Sequence, residues 1–488
     1  MALDISLWLL VSFLLFTLVM AFFSLDKKVT HFREHAVGHR QFPTVALVAT
    51  IVASYCPGGL LRASITDAGI GIWYITYRII ITLFPLLALS WLSGRMSKFM
   101  YDISMPETMA RAYGSCERFV TAFFEVCNAI IIVALQIRVI TDTARLFITS
   151  VSPLAITILI TLVLVVYAMF GGVRAITFTD GWQFIVFSTL TLLLAWLLLK
   201  NTGKPISEII HFLHAQKQFE LNNIITPDGK VSNLLRYLTC IVGPMSPYLV
   251  HHVYMASSPE QARKAFLYAG IVSTFIIVSI TLVGLLVFIS FRDVPSPAIW
   301  NHFLSDASPF LKGIVCIIML SFAMSTVDSR LHIASIMLAY DMPKSIYFLR
   351  RWAHFYQFAV ARVALFALAI LTVILAANFP VFSLLKILTW YARFYVPIIM
   401  APFILAVIGF RTTYPVALIG MVTGLLSVFV WQKWITPIVG TNSGHIPCMF
   451  INGLAMIAAH YTITTINKDK KAKKFPRSIK YIQNRHVR

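Results

Sequence analysis

Charge is what this sequence has least of. Asp, Glu, Lys and Arg make up 12% of its 488 residues, against 59% hydrophobic residues and a mean hydropathy of +0.81. A soluble domain carries roughly 25% charged residues. This chain therefore cannot cover a water-facing surface, and lipid must be its main solvent. In lipid every backbone N–H and C=O has to be satisfied inside the protein, which leaves helices or a closed barrel. The apolar–polar alternation of barrel strands is missing as well. The apolar runs are long and unbroken, and the stretch 5–24 has about the 20 residues that a helix needs to cross a ~30 Å hydrocarbon core.

Cysteine is scarce and unpaired. Cys56, Cys116, Cys127, Cys240, Cys316 and Cys448 show no paired spacing and fall mostly in apolar runs, where a thiol acts as a small buried apolar group. There is no metal motif, phosphate loop or nucleophile elbow. Acidic residues are outnumbered, 19 against 40 Lys and Arg, for a net charge of +21. Such a balance can point to nucleic acid, but its placement does not. Lys468, Lys470, Lys471, Lys473, Lys474, Arg477, Lys480, Arg485 and Arg488 lie in one tail, and the other cations mostly flank apolar spans. That is a positive-inside pattern with scope for contact to anionic lipid headgroups.

The hydropathy pattern gives about thirteen helical spans. They lie near 5–24, 44–70, 73–93, 119–148, 151–170, 180–200, 232–255, 265–291, 309–340, 355–378, 381–410, 413–432 and 444–466. The first lacks a basic leader and an A-x-A cleavage site, so it is read as a retained helix. Lys27, Lys28, Arg33 and Arg40 follow the first span, and Arg95, Lys98, Arg111 and Arg118 follow the third. Arg174, Arg263, Lys264, Lys344, Arg350 and Arg351 continue the alternation. The positive-inside rule then puts the N-terminus outside and the tail, 468–488, in the cytoplasm. The expectation is a multi-pass protein of a cell membrane, read as a bacterial inner membrane.

Two spans cannot run as continuous helices. Ala53-Ser54-Tyr55-Cys56-Pro57-Gly58-Gly59 interrupts the second and Gly243-Pro244-Met245-Ser246-Pro247 the seventh. Proline removes a donor and clashes with the preceding turn, and paired glycines loosen the backbone. The breaks are five spans apart, as corresponding first helices of two five-helix repeats would be. Transporters bind substrates and ions at such mid-membrane breaks; two ordinary proline kinks are the alternative.

The ninth span reads Phe322-Ala323-Met324-Ser325-Thr326-Val327-Asp328-Ser329 and resembles the A-x-M-S-T-x-D-S pattern of the sodium/solute symporter family, which includes proline, pantothenate, sialic acid and sugar symporters. Gly171-Gly172-Val173-Arg174-Ala175 with Thr179-Asp180-Gly181-Trp182-Gln183 is similar to that family's G-G-x-x-A and W-T-D-x-x-Q elements. Met105-Pro106-Glu107-Thr108 with Arg111-Ala112-Tyr113-Gly114, and Ser258-Pro259-Glu260-Gln261-Ala262-Arg263-Lys264-Ala265, resemble two of its loop segments. The ordered set covers roughly residues 30–400. The resemblance implies an all-α membrane protein with a leucine-transporter-type inverted repeat of five plus five helices and alternating access. Repeat one would span about 44–200 and repeat two about 232–410, in a transporter domain 1–467 with flanking helices 5–24, 413–432 and 444–466.

The resemblance also implies a sodium site. Its ligands would be the carbonyls of Ala53, Cys56 and Phe322 with the hydroxyls of Ser325 and Thr326, hard oxygen donors suited to a sodium ion. Ordinary hydrogen bonding between helices is the alternative for the two hydroxyls. Asp180 and Asp328 call for a polar cavity or a partner, because an aspartate at a helix centre costs about 2.5–3.5 kcal/mol. Ser325, Asp328 and Ser329 share a helix face at i, i+3 and i+4. In sialic acid members the matching face and the aspartate matching Asp180 hold a second sodium. The alternative is that Asp328 pairs with Arg330 or another arginine and Asp180 caps a helix. Proline-type members carry an aspartate where this chain has Tyr55, which leaves a proton on Asp180 or Asp328 as the other coupling ion.

For the substrate, Arg62, Arg138 beside Gln136, and Arg393 near Trp390, Tyr391 and Tyr395 offer guanidinium forks that match a carboxylate. Sialic acid members place a carboxylate-binding arginine near Arg138. Met245, Ser246, Tyr248 and His252 are further candidates at the second break. The alternatives are an Arg138–Asp142 pair and snorkelling toward an interface. The expected function is secondary active symport of a small organic solute such as an amino acid or other carboxylate, driven by sodium or protons. No enzymatic constellation is visible, and no cofactor or nucleic acid is expected. A transporter-like sensor module is the alternative, since the family fuses similar domains to histidine kinases; the short basic tail reads against it.

Overall fold

A computed structural model describes residues 5–23, 31–147, 151–203, 205–224, 235, 237–238, 245–291, 293–439 and 444–474. Every regular element among them is helical. The chain opens with α1 (Ile5–Phe23), the short α2 (Phe32–Val37), α3 (Thr44–Tyr55) and α4 (Leu60–Asp67). Then come α5 (Ile72–Ser93), the short α6 (Met105–Ala112) and α7 (Ser115–Phe147), followed by α8 (Pro153–Met169) and α9 (Gly171–Thr202). The second half holds α10 (Pro247–Met255), α11 (Pro259–Ser290), α12 (Pro309–Ile336), α13 (Arg350–Asn378), α14 (Val381–Tyr395), α15 (Tyr414–Val430) and α16 (His445–Lys474). Turns of π-helix carry α12 on to Ser345, α14 to Ile408 and α15 to Val439.

Local chemistry sets several helix starts. Ser-Pro pairs open α8, α10, α11 and α12: serine takes the N-cap, and proline occupies a first-turn position where no amide is needed. The Ser258 and Ser308 hydroxyls accept the amides of Gln261 and Leu311 at 3.1 and 3.3 Å. Between α8 and α9, Gly172 has φ 57°, and a Cβ there would lie 2.5 Å from His35 Nδ1. Only glycine fits that corner.

α12 is the axis of the molecule. Each residue from Ile318 to Ile336 is buried, and α1, α3, α7, α8–α9 and α13 pack around it. A helix enclosed on all sides need not be amphipathic, so its polar residues face protein and not lipid. Among the described residues nine helices are long and apolar enough to cross a membrane, or ten with the bent α3–α4 pair. The expected first and fifth spans are shorter apolar helices, Trp8–Phe23 and Pro153–Met169. Part of the expected seventh span, with Gly243 and Pro244, lies outside the described residues; α10 forms its end. The last candidate span ends at Ile466, and α16 continues beyond it to Lys474; residues 475–488 lie outside the described residues.

Candidate functional site

The break in the second span is built from the residues upward. α3 ends at Tyr55, Cys56 is extended at φ −93° and ψ 105°, and α4 leaves at 55° to α3. Pro57 has no amide to continue the helix. Gly58 meets α12 so closely that a Cβ would stand 2.6 Å from the Ala323 Cβ and 3.1 Å from the Met319 carbonyl. The Gly58 amide, freed by the break, donates to Gln136 Oε1 on α7 at 2.8 Å. Gln136 thus holds the broken backbone.

Against this break lie two hydroxyls of α12. Ser325 Oγ donates to the Ala53 carbonyl at 2.9 Å and lies 3.0 Å from the Phe322 carbonyl. Thr326 Oγ1 is 3.0 Å from the Phe322 carbonyl and 3.4 Å from that of Cys56. Ala53, Cys56, Phe322, Ser325 and Thr326 are all buried. The structure therefore gathers these five oxygens into one buried cluster bridging the broken helix and the central one.

One turn along α12, two carboxylates stand close to the same face. Asp180, inside α9 and not at its cap, accepts hydrogen bonds from Thr50 and, at 3.4 Å, from Ser329 Oγ; its Oδ1 has no hydrogen-bond partner among the described residues. Asp328 takes the Tyr167 hydroxyl at 2.6 Å and the Ser329 amide at 2.6 Å. Among the described residues no Lys, Arg or His forms an ion pair with either carboxylate. Arg330 does not pair with Asp328 but lies over the Tyr248 ring at 3.7 Å. Buried carboxylates without a basic partner carry an uncompensated charge, which a bound cation or a proton would balance. A cavity of about 10 Å³ opens between Thr50, Ser329, His251, His252 and His332, at the lower limit for one water.

The arginine candidates are not gathered in this way. Arg138 pairs with Asp142 at 3.0 Å and donates to the Ala376 carbonyl near the end of α13, also at 3.0 Å. Arg393 lines a small pocket with Trp431, Gln432 and His445, beside the flanking helices α15 and α16. Arg62 is half-buried on α4. Met245 and Ser246 are buried at the start of α10; the Met245 carbonyl accepts the Tyr395 hydroxyl at 3.2 Å, and Ser246 Oγ has no partner among the described residues. Sequence reasoning missed Thr50, Tyr167 and Glu125. Glu125, fully buried on α7, receives Asn128 Nδ2 at 3.3 Å and faces the charge of Arg330. A glutamate in an apolar run was the available signal; Thr50 and Tyr167 gave none.

The sequence model of the sodium:solute symporter family matches residues 35–424. The chain belongs to that family. The family is one of transporters and not of enzymes. A search of curated protein sequences gives no match to this symporter-family chain. Among solved structures it is similar to a sodium-coupled sialic acid symporter in a substrate-bound outward-open state, at 15% identity and a TM-score of 0.77 over 93% of this chain and 96% of that one. It is also similar to a nucleobase-cation-symport-1 family transporter in a closed conformation with bromovinylhydantoin bound, at 13% identity and 0.59 over 90% and 95%. A third is MhsT in complex with L-phenylalanine, at 12% identity and 0.52 over 86% and 98%. These likenesses show a shared transporter fold, and the many apolar helices make this a multi-pass membrane protein.

Proposed function

We propose that this chain is a secondary active transporter that couples sodium entry to the uptake of a small organic solute carrying a carboxylate. The observation that carries the reading is the convergence of the Ser325 and Thr326 hydroxyls on the Ala53, Cys56 and Phe322 carbonyls. A dehydrated sodium ion asks for hard oxygen donors, and carbonyls exposed at a helix break supply them without protonation. A second cation is balanced by Asp180 and Asp328 with Ser329 between them. The frame is thirteen helices with two inverted five-helix repeats, about 44–200 and 232–410, and the tail faces the cytoplasm.

Relatives in structure include a sialic acid symporter and a transporter holding L-phenylalanine, both carboxylate solutes. The solute lies between the α3–α4 break and the start of α10, with Gln136, Met245 and Ser246 nearby. Of the three candidate arginines Arg62 is left to meet its carboxylate, since Arg138 already serves Asp142 and the Ala376 carbonyl and Arg393 lies beside the flanking helices. Proteoliposomes loaded without sodium and offered labelled sialic acid, L-phenylalanine and L-proline should accumulate one of them under an inward sodium gradient. Uptake should vanish in Ser325→Ala/Thr326→Ala. Accumulation driven equally by a proton gradient in sodium-free medium would overturn the assignment of the ion.

A further inference from the structure

On the membrane face that carries the basic loops, the ends of α5 and of the α14 extension enclose a cavity of about 550 Å³ lined by Arg95, Lys98, Phe99, Arg111, Phe410 and Arg411, among others. Arg95 follows the end of α5 at Ser93, and Arg411 follows the end of the α14 extension at Ile408, so both stand at span ends where headgroups lie. Arg95 covers the half-exposed Trp91 ring at 3.9 Å, an aromatic at the same level. Arg111 is held by Asp102 and by the Lys98 carbonyl. Arg95, Lys98 and Arg411 have no acidic partner among the described residues. The floor is apolar, made by Phe99 with Ala406, Val407 and Ile408, and Ile408 is 54% exposed.

The geometry points to a binding site for one anionic phospholipid, with its phosphodiester held by Lys98, Arg95 and Arg411 and its acyl chain along Ile408. Charge alone would suit a soluble anion. The apolar floor and the placement at two span ends suit a lipid, because basic pockets between membrane helices bind anionic headgroups. The site lies apart from the broken helix and uses none of the residues at the ion cluster.

The test is native mass spectrometry of the full-length protein in detergent, titrated with dioleoyl-phosphatidylglycerol or dioleoyl-phosphatidylcholine. Lys98→Gln/Arg411→Gln should weaken phosphatidylglycerol binding about tenfold and leave phosphatidylcholine binding unchanged. The control Lys264→Gln/Arg351→Gln, which removes two cations outside the cavity, should retain wild-type binding. Equal loss in the control would reduce the effect to general surface charge and overturn the site. Displacement of the lipid by inorganic phosphate at matched concentration would assign the cavity to a soluble anion and also overturn it. Equal melting temperatures in lipid-free detergent establish that the variants are folded; if Lys98→Gln/Arg411→Gln is not, Lys98→Gln alone is read in the same way.

Discussion

Ser329 sits between two carboxylates: its amide serves Asp328 and its hydroxyl Asp180. Replacing Asp328 with Asn keeps a group of the same size that can still accept the Tyr167 hydroxyl, and it removes one negative charge. If the carboxylates balance a cation, Asp328→Asn should raise the half-saturating sodium concentration about tenfold, the loss of one charge-assisted contact. Sodium-dependent thermal stabilisation of the purified protein measures this, and an unchanged midpoint would sever Asp328 from the cation. The grouping of Ser325, Asp328 and Ser329 was readable from helical spacing alone. Tyr167 and Thr50 were not, because they meet Asp328 and Asp180 across 161 and 130 residues of sequence. A lone tyrosine or threonine in an apolar run carries no periodic signal.

At the scale of elements, Pro57-Gly58-Gly59 announces its break openly, and the bend is there. What the sequence could not show is how tightly the break is gripped, by Gln136 on one side and Ala323 on the other. Gly58→Ala must push α3–α4 away from α12 and should cost about 1–3 kcal/mol of stability, read as a lower melting temperature. An unshifted melting curve would show that the contact yields freely. Two boundaries were less legible, since the turns of π-helix that carry α12 to Ser345 and α15 to Val439, past the expected 340 and 432, leave no mark in hydropathy.

α2 carries a separate expectation. Burial, with the charge of Arg362, pushes the His35 imidazole down to about 4, and its ring stands 4.9 Å from that of His332. The fold therefore favours neutral His35. That stability is complete above the ordinary value near 6.5 and is lost as pH falls from there through about 4, up to about 3 kcal/mol. His35→Gln should lose less stability than the wild type between pH 7 and pH 4 in detergent melts. Parallel losses would place the acid sensitivity elsewhere.

For the whole molecule, hydropathy and the order of a few short motifs were enough to reach the family, because lipid imposes helices and the broken spans interrupt them at fixed places. Sequence identity of 12–15% to the structural relatives leaves side-chain roles to be read from this chain's own contacts. We propose a cytoplasmic tail from the alternation of basic loops, so a reporter fused after Arg488 should be active only inside the cell; activity outside would invert the topology. The central claim is that the Ala53–Thr326 cluster binds sodium, and linkage tests it without knowledge of the solute. A ligand that binds only the folded state stabilises it by about 2.7 kcal/mol at 100 times its dissociation constant. The decisive measurement is the melting temperature of the purified protein across a sodium titration, with potassium making up constant ionic strength at fixed pH. The wild-type protein should show a saturable rise with sodium that Ser325→Ala/Thr326→Ala abolishes. A melting temperature indifferent to sodium, in a wild-type protein whose stability follows pH alone, would contradict it.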